Sequence, residues 1–126
     1  MTIENSHRPV ILAINDEELA LEVRKAVLEA RGYQVLIAVN SDRAMELFSS
    51  RHVDLVLTDY LLRGSTGADL SREMKRLKPD VPIVLLSGMT EQPDDIGGAD
   101  LFLAKLSGPQ ELLSVISRIL DGKEAA

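Results

Sequence analysis

Four short runs, VILAI at 10–14, VLIAV at 35–39, LVLT at 55–58 and IVLL at 83–86, are apolar at consecutive rather than alternate positions. A strand with one wet face alternates, so uninterrupted Val, Ile and Leu point to strands covered on both faces. Leu101 to Leu103 is a weaker fifth run. Between the runs the apolar period lengthens. Leu19, Val23, Ala26, Val27 and Ala30 recur at helical spacing, and Gly32 supplies a stop. Ala44, Leu47 and Phe48 repeat the pattern after Asn40, and Leu70, Met74 and Leu77 repeat it after Thr66, a helix-capping residue type. Ser107-Gly-Pro-Gln reads as a capping box with proline in the first turn, which predicts a last helix from near Ser107 to about Leu120.

Strand and helix thus alternate five times, which predicts an α/β fold: a doubly wound, five-stranded parallel sheet with helices on both faces and right-handed crossovers. Residues 1–8 and 122–126 are polar or small without periodicity and are expected to be flexible, leaving one domain at 9–121. The 126 residues suit a single core. A net charge of −6 argues against nonspecific binding to nucleic acid or to anionic membranes. The absence of cysteine removes disulfides, thiolate metal sites and cysteine nucleophiles. No apolar run approaches the roughly 20 residues that cross a bilayer, so the expected location is the cytoplasm.

Ligands of such sheets sit at the carboxyl ends of the strands. The polar residues found there are Asn15-Asp16-Glu17 after the first run, Asp59 after the third, Ser87 after the fourth and Lys105 after the fifth. Each has a plainer reading taken alone: Asp16 as a helix cap, Asp59 as a strand end, Ser87-Gly88 as a turn, Lys105 as a surface lysine. Together, in this order, they resemble the receiver domain of two-component response regulators across Val10 to Leu120. The resemblance is carried by VILAINDEE, LVLTDYLLRGSTG, PIVLLSG and GADLFLAK.

It implies a flavodoxin-like strand order 2-1-3-4-5 and a phosphoryl group accepted by Asp59 from a histidine kinase or phosphotransfer protein. It further implies Mg²⁺ held by Asp16, Asp59 and the Leu61 carbonyl, with Asn15 touching the metal through water. Lys105 would pair with Asp59 and then with its phosphoryl group, Ser87 would donate its hydroxyl, and Ser87 and Phe102 would form the switch. The residue types suit that chemistry, since a carboxylate attacking a phosphoryl group needs cations and hydroxyl donors to offset like charge. His7 and His52 lack neighbours at metal-ligand spacing and read as surface residues.

Four departures qualify the resemblance. Asn15 stands where receivers usually carry an acid, which predicts weaker Mg²⁺ binding. Arg63 replaces a proline, which predicts a less rigid loop after Asp59. Leu106 replaces the proline after the lysine, so the bond is expected to be trans. The interval from Ser87 to Lys105 is short by about four residues, roughly one helical turn, and contains Pro93, Gly97 and Gly98. The fourth helix should therefore be a single turn or irregular. The last helix carries more apolar residues than one buried stripe needs, which predicts an interaction face for an unidentified downstream protein or a homodimer through the fifth strand and last helix. No output domain follows within the sequence, so a stand-alone switch is expected. The alternative is a degenerate receiver that binds partners without phosphorylation. A phosphatase or flavin enzyme on the same fold is disfavoured, since AINDEE lacks an Asp-x-Asp pair.

Overall fold

The computed structural model describes residues 8–89 and 91–125, with the side chains of residues 106 and 123–125 left aside. Residues 1–7, which contain His7 and nearly all of the expected N-terminal tail, lie outside the described residues. The main sheet has the order β2-β1-β3-β6-β7, formed by Gln34–Ala38, Val10–Ile14, Leu55–Asp59, Ile83–Ser87 and Leu101–Ala104, every neighbouring pair parallel. This is the flavodoxin-like order expected. It is numbered differently because a short antiparallel hairpin, β4 (Leu61–Leu62) with β5 (Ser65–Thr66), intervenes. Where a less rigid loop was expected, the Arg63-Gly64 turn lets Leu62 pair with Ser65.

Consecutive apolar positions split between two cores. Leu12, Ile14, Val56 and Ile83 face α2 (Ser41–Ser50) and α3 (Gly67–Leu77), where they meet Phe48, Leu70 and Met74. Ile11, Leu55, Leu57, Val84 and Leu86 face α1 (Glu18–Ala30) and α4 (Pro109–Ala125), where they meet Leu28, Leu113 and Ile116. Asn40 and Thr66 cap α2 and α3, their side-chain oxygens accepting from the N–H groups of Arg43 and Asp69 at 2.8 and 3.1 Å. Pro109 opens α4 as the proline signal indicated. Ser107 instead belongs to a single 3-10 turn, Lys105–Ser107, and the helix runs beyond Leu120 to Ala125.

Two apolar stripes differ from the expectation. On α1, Leu19 and Val23 are 79% and 58% exposed, whereas Leu21 and Leu28 are fully buried. The helix is apolar on more than one side, and the side facing the sheet runs through Leu21, Arg24 and Leu28 at i, i+3 and i+7. On α4, Leu112, Leu113, Val115, Ile116 and Leu120 are all buried within the chain. Most of the apolar surplus read as an interaction face is therefore consumed by the core.

Between β6 and β7 no helix is found among the described residues, so the fourth helix is irregular. The segment lies directly on α3. A Cβ at Gly97 would stand 2.0 Å from the Ala68 carbonyl oxygen, and its φ is +65°. Ser71 Oγ accepts from Gly98 N–H at 2.8 Å and donates to the Ala68 carbonyl. Asp95 accepts from Gly97 N–H and from Arg72. Asp100 Oδ2 accepts from Ile83 N–H and from Lys75, each at 2.8 Å, leading the chain into β7. Cis peptide bonds are absent among the described residues, so Lys105 is followed by a trans bond. No helix is long and apolar enough to cross a membrane among those residues.

Candidate functional site

The carboxyl ends of β1, β3, β6 and β7 lie side by side, and the register decides what meets there. Asp59 pairs with Leu86 and Ser87 with Ala104, so Ser87 and Lys105 each stand just past the level of Asp59. Lys105 begins the 3-10 turn and its Nζ donates to Asp59 Oδ2 at 2.9 Å. The Asp59 side chain is only 9% exposed, a burial that a carboxylate tolerates when cations accompany it. Ser87 is buried beside it and its Oγ accepts from Met89 N–H at 3.0 Å. The hydroxyl proton of Ser87 is thereby left available to an incoming oxygen.

The backbone just after Asp59 is held by two hydrogen bonds. Tyr60 N–H donates to the Leu86 carbonyl at 2.7 Å, and Gly67 N–H donates to the Tyr60 carbonyl at 2.6 Å. A Cβ on Gly67 would come within 2.4 Å of the Asp59 carbonyl oxygen. Glycine is what allows α3 to start against the Asp59 carbonyl.

At the end of β1, Asp16 does not cap α1. The N-cap is Glu17, without a side-chain cap bond, and Asn15 Oδ1 accepts from Glu17 N–H at 2.9 Å. Asn15 is fully buried and its Nδ2 has no hydrogen-bond partner. The Asp16 carboxylate is thus free of capping duty; its ion-pair neighbour is Arg63, with Nε 4.0 Å from Oδ2. Asp16 and Asp59 come at the carboxyl ends of the paired strands β1 and β3, where Ile14 is in register with Thr58, and each offers a hard carboxylate oxygen donor. Mg²⁺ commonly takes one or two carboxylates and retains waters, so these residues fit that ion. No cluster of three or more His, Cys, Asp or Glu residues able to hold a metal occurs among the described residues.

One residue escaped the sequence reading. Arg24, on the buried stripe of α1, places Nη1 3.4 Å from Asp59 Oδ1, with its side chain only 13% exposed. Both carboxylate oxygens of Asp59 therefore face a cation. The signal was present in the spacing of Leu21, Arg24 and Leu28, which puts an arginine on the face that meets the sheet. Phe102 lies on β7 opposite Leu85 and is half-buried. It belongs to neither core cluster, unlike its neighbour Leu103, which packs with Leu57 and Leu86. His52 is exposed and bonded to Asp54, away from these strand ends.

Comparison with known proteins gives a consistent picture. Residues 11–117 match the family model described as the response regulator receiver domain. The chain is 34% identical over 116 residues to the phosphate regulon transcriptional regulatory protein PhoB of Pseudomonas aeruginosa, covering 87% of this chain and 51% of that protein. It spans about half or less of the length of the curated relatives it matches. A CheY-like receiver domain protein from Methanospirillum hungatei superposes with a TM-score of 0.86 at 26% identity, covering 94% of this chain and 98% of that one. The response regulator TrrA of Thermotoga maritima, solved in complex with Mg²⁺-BeF, gives 0.83 at 29% identity, covering 89% and 99%. TrrA has also been solved in complex with the histidine kinase ThkA.

Proposed function

The chain belongs to the response regulator receiver domain family, and from that membership we propose that Asp59 accepts a phosphoryl group from the phosphohistidine of a kinase or phosphotransfer protein. The observation that carries this reading is the buried Asp59 carboxylate held 2.9 Å from Lys105 Nζ, with the Ser87 hydroxyl on the adjacent strand. In the transfer an Asp59 carboxylate oxygen attacks phosphorus. The O–P bond forms as the P–N bond breaks, and its electron pair stays on the imidazole nitrogen. Hydrolysis reverses the state: water oxygen bonds to phosphorus, the Asp59 O–P bond breaks, and a carboxylate and inorganic phosphate result.

In this reading Lys105 transfers its hydrogen bond from Asp59 to a phosphoryl oxygen, and Ser87 donates to another. That movement draws the β6 end inward and opens room for the half-buried Phe102 to turn. The response is a change of surface at the β7 edge, where Leu101 is exposed, offered to a downstream protein or a second copy. Asp16, Asp59 and the Leu61 carbonyl would hold Mg²⁺, with Asn15 reaching it through water. When bound, the ion neutralises charge shared by the carboxylates and the phosphoryl group. TrrA, with its Mg²⁺-BeF and kinase complexes, supports the choice of ion and donor by likeness. The protein is a switch that assists its own phosphorylation and dephosphorylation, with no other substrate turned over.

A phosphorylation-independent binding module is the second reading, favoured by the pairing of both Asp59 oxygens with Arg24 and Lys105. Intact-mass measurement after incubation with acetyl phosphate and Mg²⁺ separates the two. An acid-labile gain of one phosphoryl group, absent in Asp59→Asn, is expected. A gain that survives Asp59→Asn, or no gain at all, overturns the phosphoacceptor reading.

A further inference from the structure

Arg24 is the cation of this site that the residue pattern at the strand ends does not account for. It lies between Leu21 and Leu28 on the stripe of α1 that faces the sheet, which holds its side chain 13% exposed. A guanidinium carries five N–H donors in a rigid fork. Among the described residues its one hydrogen bond goes to Asp59 Oδ1, at a long 3.4 Å. A partly desolvated arginine with most of its donors uncommitted, aimed at the reactive carboxylate, is poised to bind more oxygen than it now meets.

The charge balance points the same way. Asn15 contributes no charge, and Asp16 and Asp59 are the acids that come at the carboxyl ends of the paired strands β1 and β3. Arg24 and Lys105 already offset them, one cation on each oxygen of Asp59, and Arg63 approaches Asp16. A cleft with two acids and these cations does not repel an incoming phosphoryl group as a cleft with a single lysine would. It also attracts a divalent cation less, because a metal bound to Asp59 must share or displace one of the two side chains.

We infer that Arg24 is a built-in phosphoryl-binding cation. It competes with Mg²⁺ for the Asp59 carboxylate and, once Asp59 is phosphorylated, donates to the phosphoryl oxygens, so that the site works with little help from the metal. This rests on Asp59 being the phosphoacceptor. It goes further in assigning part of the metal's charge-neutralising role to a residue of α1.

The test uses Arg24→Met and Arg24→Lys in the full chain. Arg24 lines a mostly apolar cavity of about 360 Å³ with Val23, Val27, Leu103 and Pro109, so methionine keeps an apolar stem there while deleting the charge. The first readout is Mg²⁺ affinity by calorimetry. Arg24→Met should bind Mg²⁺ about 5- to 50-fold more tightly than the parent, as two cations competing for one carboxylate are reciprocally coupled, and Arg24→Lys should fall between. The second is labelling of Asp59 by acetyl phosphate in EDTA. The parent should label, and Arg24→Met should label at least about tenfold more slowly, with partial rescue by lysine. Unchanged Mg²⁺ affinity together with unchanged metal-free labelling overturns the inference. If Arg24→Met does not give the parent's circular dichroism, Arg24→Gln takes its place in both measurements. Failure of the parent to label under any condition sinks the phosphoacceptor reading instead, and the Mg²⁺ titration still decides whether Arg24 competes for Asp59.

Discussion

Lys105 Nζ stands 2.9 Å from Asp59 Oδ2 across 46 residues of sequence, joining the last strand of the sheet to the central one. The contact is half-screened on the lysine side and buried on the aspartate side, so its loss should be felt more in chemistry than in stability. Lys105→Met should slow labelling of Asp59 by acetyl phosphate about 10²-fold, the scale of deleting one prearranged charge donor. The fold should survive, because Arg24 still faces the carboxylate. Labelling kinetics by intact mass, alongside a thermal melt, check both halves.

The Asp59, Ser87 and Lys105 set was legible because strand ends are marked by a change from apolar to polar, and parallel register brings successive ends together. Arg24 was not, because it sits inside a helix whose apolar residues occupy more than one side. The stripe through Leu19 and Val23 satisfied the period as well as the one through Leu21 and Leu28, and packing against the sheet chose between them. The hairpin at 61–66 was likewise hidden, since two-residue strands leave no periodicity. The last helix misled for another reason: being packed by β7, β6 and α1 together, it buries a wider face than one stripe.

Asn15→Asp should tighten Mg²⁺ binding, since it adds a carboxylate to a two-acid cleft. The residue is fully buried and its Oδ1 already accepts from Glu17 N–H, a role aspartate retains. The metal-free variant should melt several degrees lower, since a buried charge near Asp16 costs about 1–2 kcal/mol and 1 kcal/mol is about 2–8 °C in a domain of this class. Paired melts with and without Mg²⁺ should show the deficit shrinking as the ion is added. A variant that binds the ion no better than the parent would mean position 15 is turned away from it.

The irregular segment before β7 should depend on its glycine and serine contacts with α3. Gly97→Ala places a Cβ 2.0 Å from the Ala68 carbonyl at a φ of +65°, and should destabilise the protein by about 3 kcal/mol or more. Ser71→Ala removes an oxygen that bonds Gly98 N–H, Ala68 and Ile96, and should cost about 1–3 kcal/mol. Urea unfolding at constant slope measures both.

Asp95 makes the same segment acid-sensitive. The Gly97 N–H and the Arg72 guanidinium hold its carboxyl below the usual aspartate range. A depressed folded-state value means the stabilisation is present above the ordinary aspartate pKa of about 3.9 and disappears as pH falls through the lower folded value. The pair is exposed, so the effect is small and weakened by salt. Parent and Asp95→Asn should therefore differ in melting temperature at neutral pH and low salt, and converge in strong acid. A gap that persists into strong acid would mean that Asp95 acts by shape rather than charge.

Phosphorylated Asp59 should be long-lived. Hydrolysis needs a water placed in line behind phosphorus, and in receivers the side chains two beyond the acceptor and two beyond the switch hydroxyl flank its approach. Here they are Leu61 and Met89, 66% and 39% exposed and in neither core. Neither orients a water by hydrogen bonding, and both present apolar surface to it. The Met89 N–H donates to Ser87 Oγ, which keeps its backbone beside that hydroxyl. Water-positioning help is worth about 10²–10⁴ in rate, and restoring part of it should be visible. Leu61→Asn should speed loss of phosphoryl from Asp59 by about tenfold, and Leu61→Asn with Met89→Glu by more. The Leu61 carbonyl survives both changes, which separates the effect from metal binding. Decay followed by intact mass in excess Mg²⁺ gives the answer: rates equal to or slower than the parent's would mean that solvent access alone sets the lifetime.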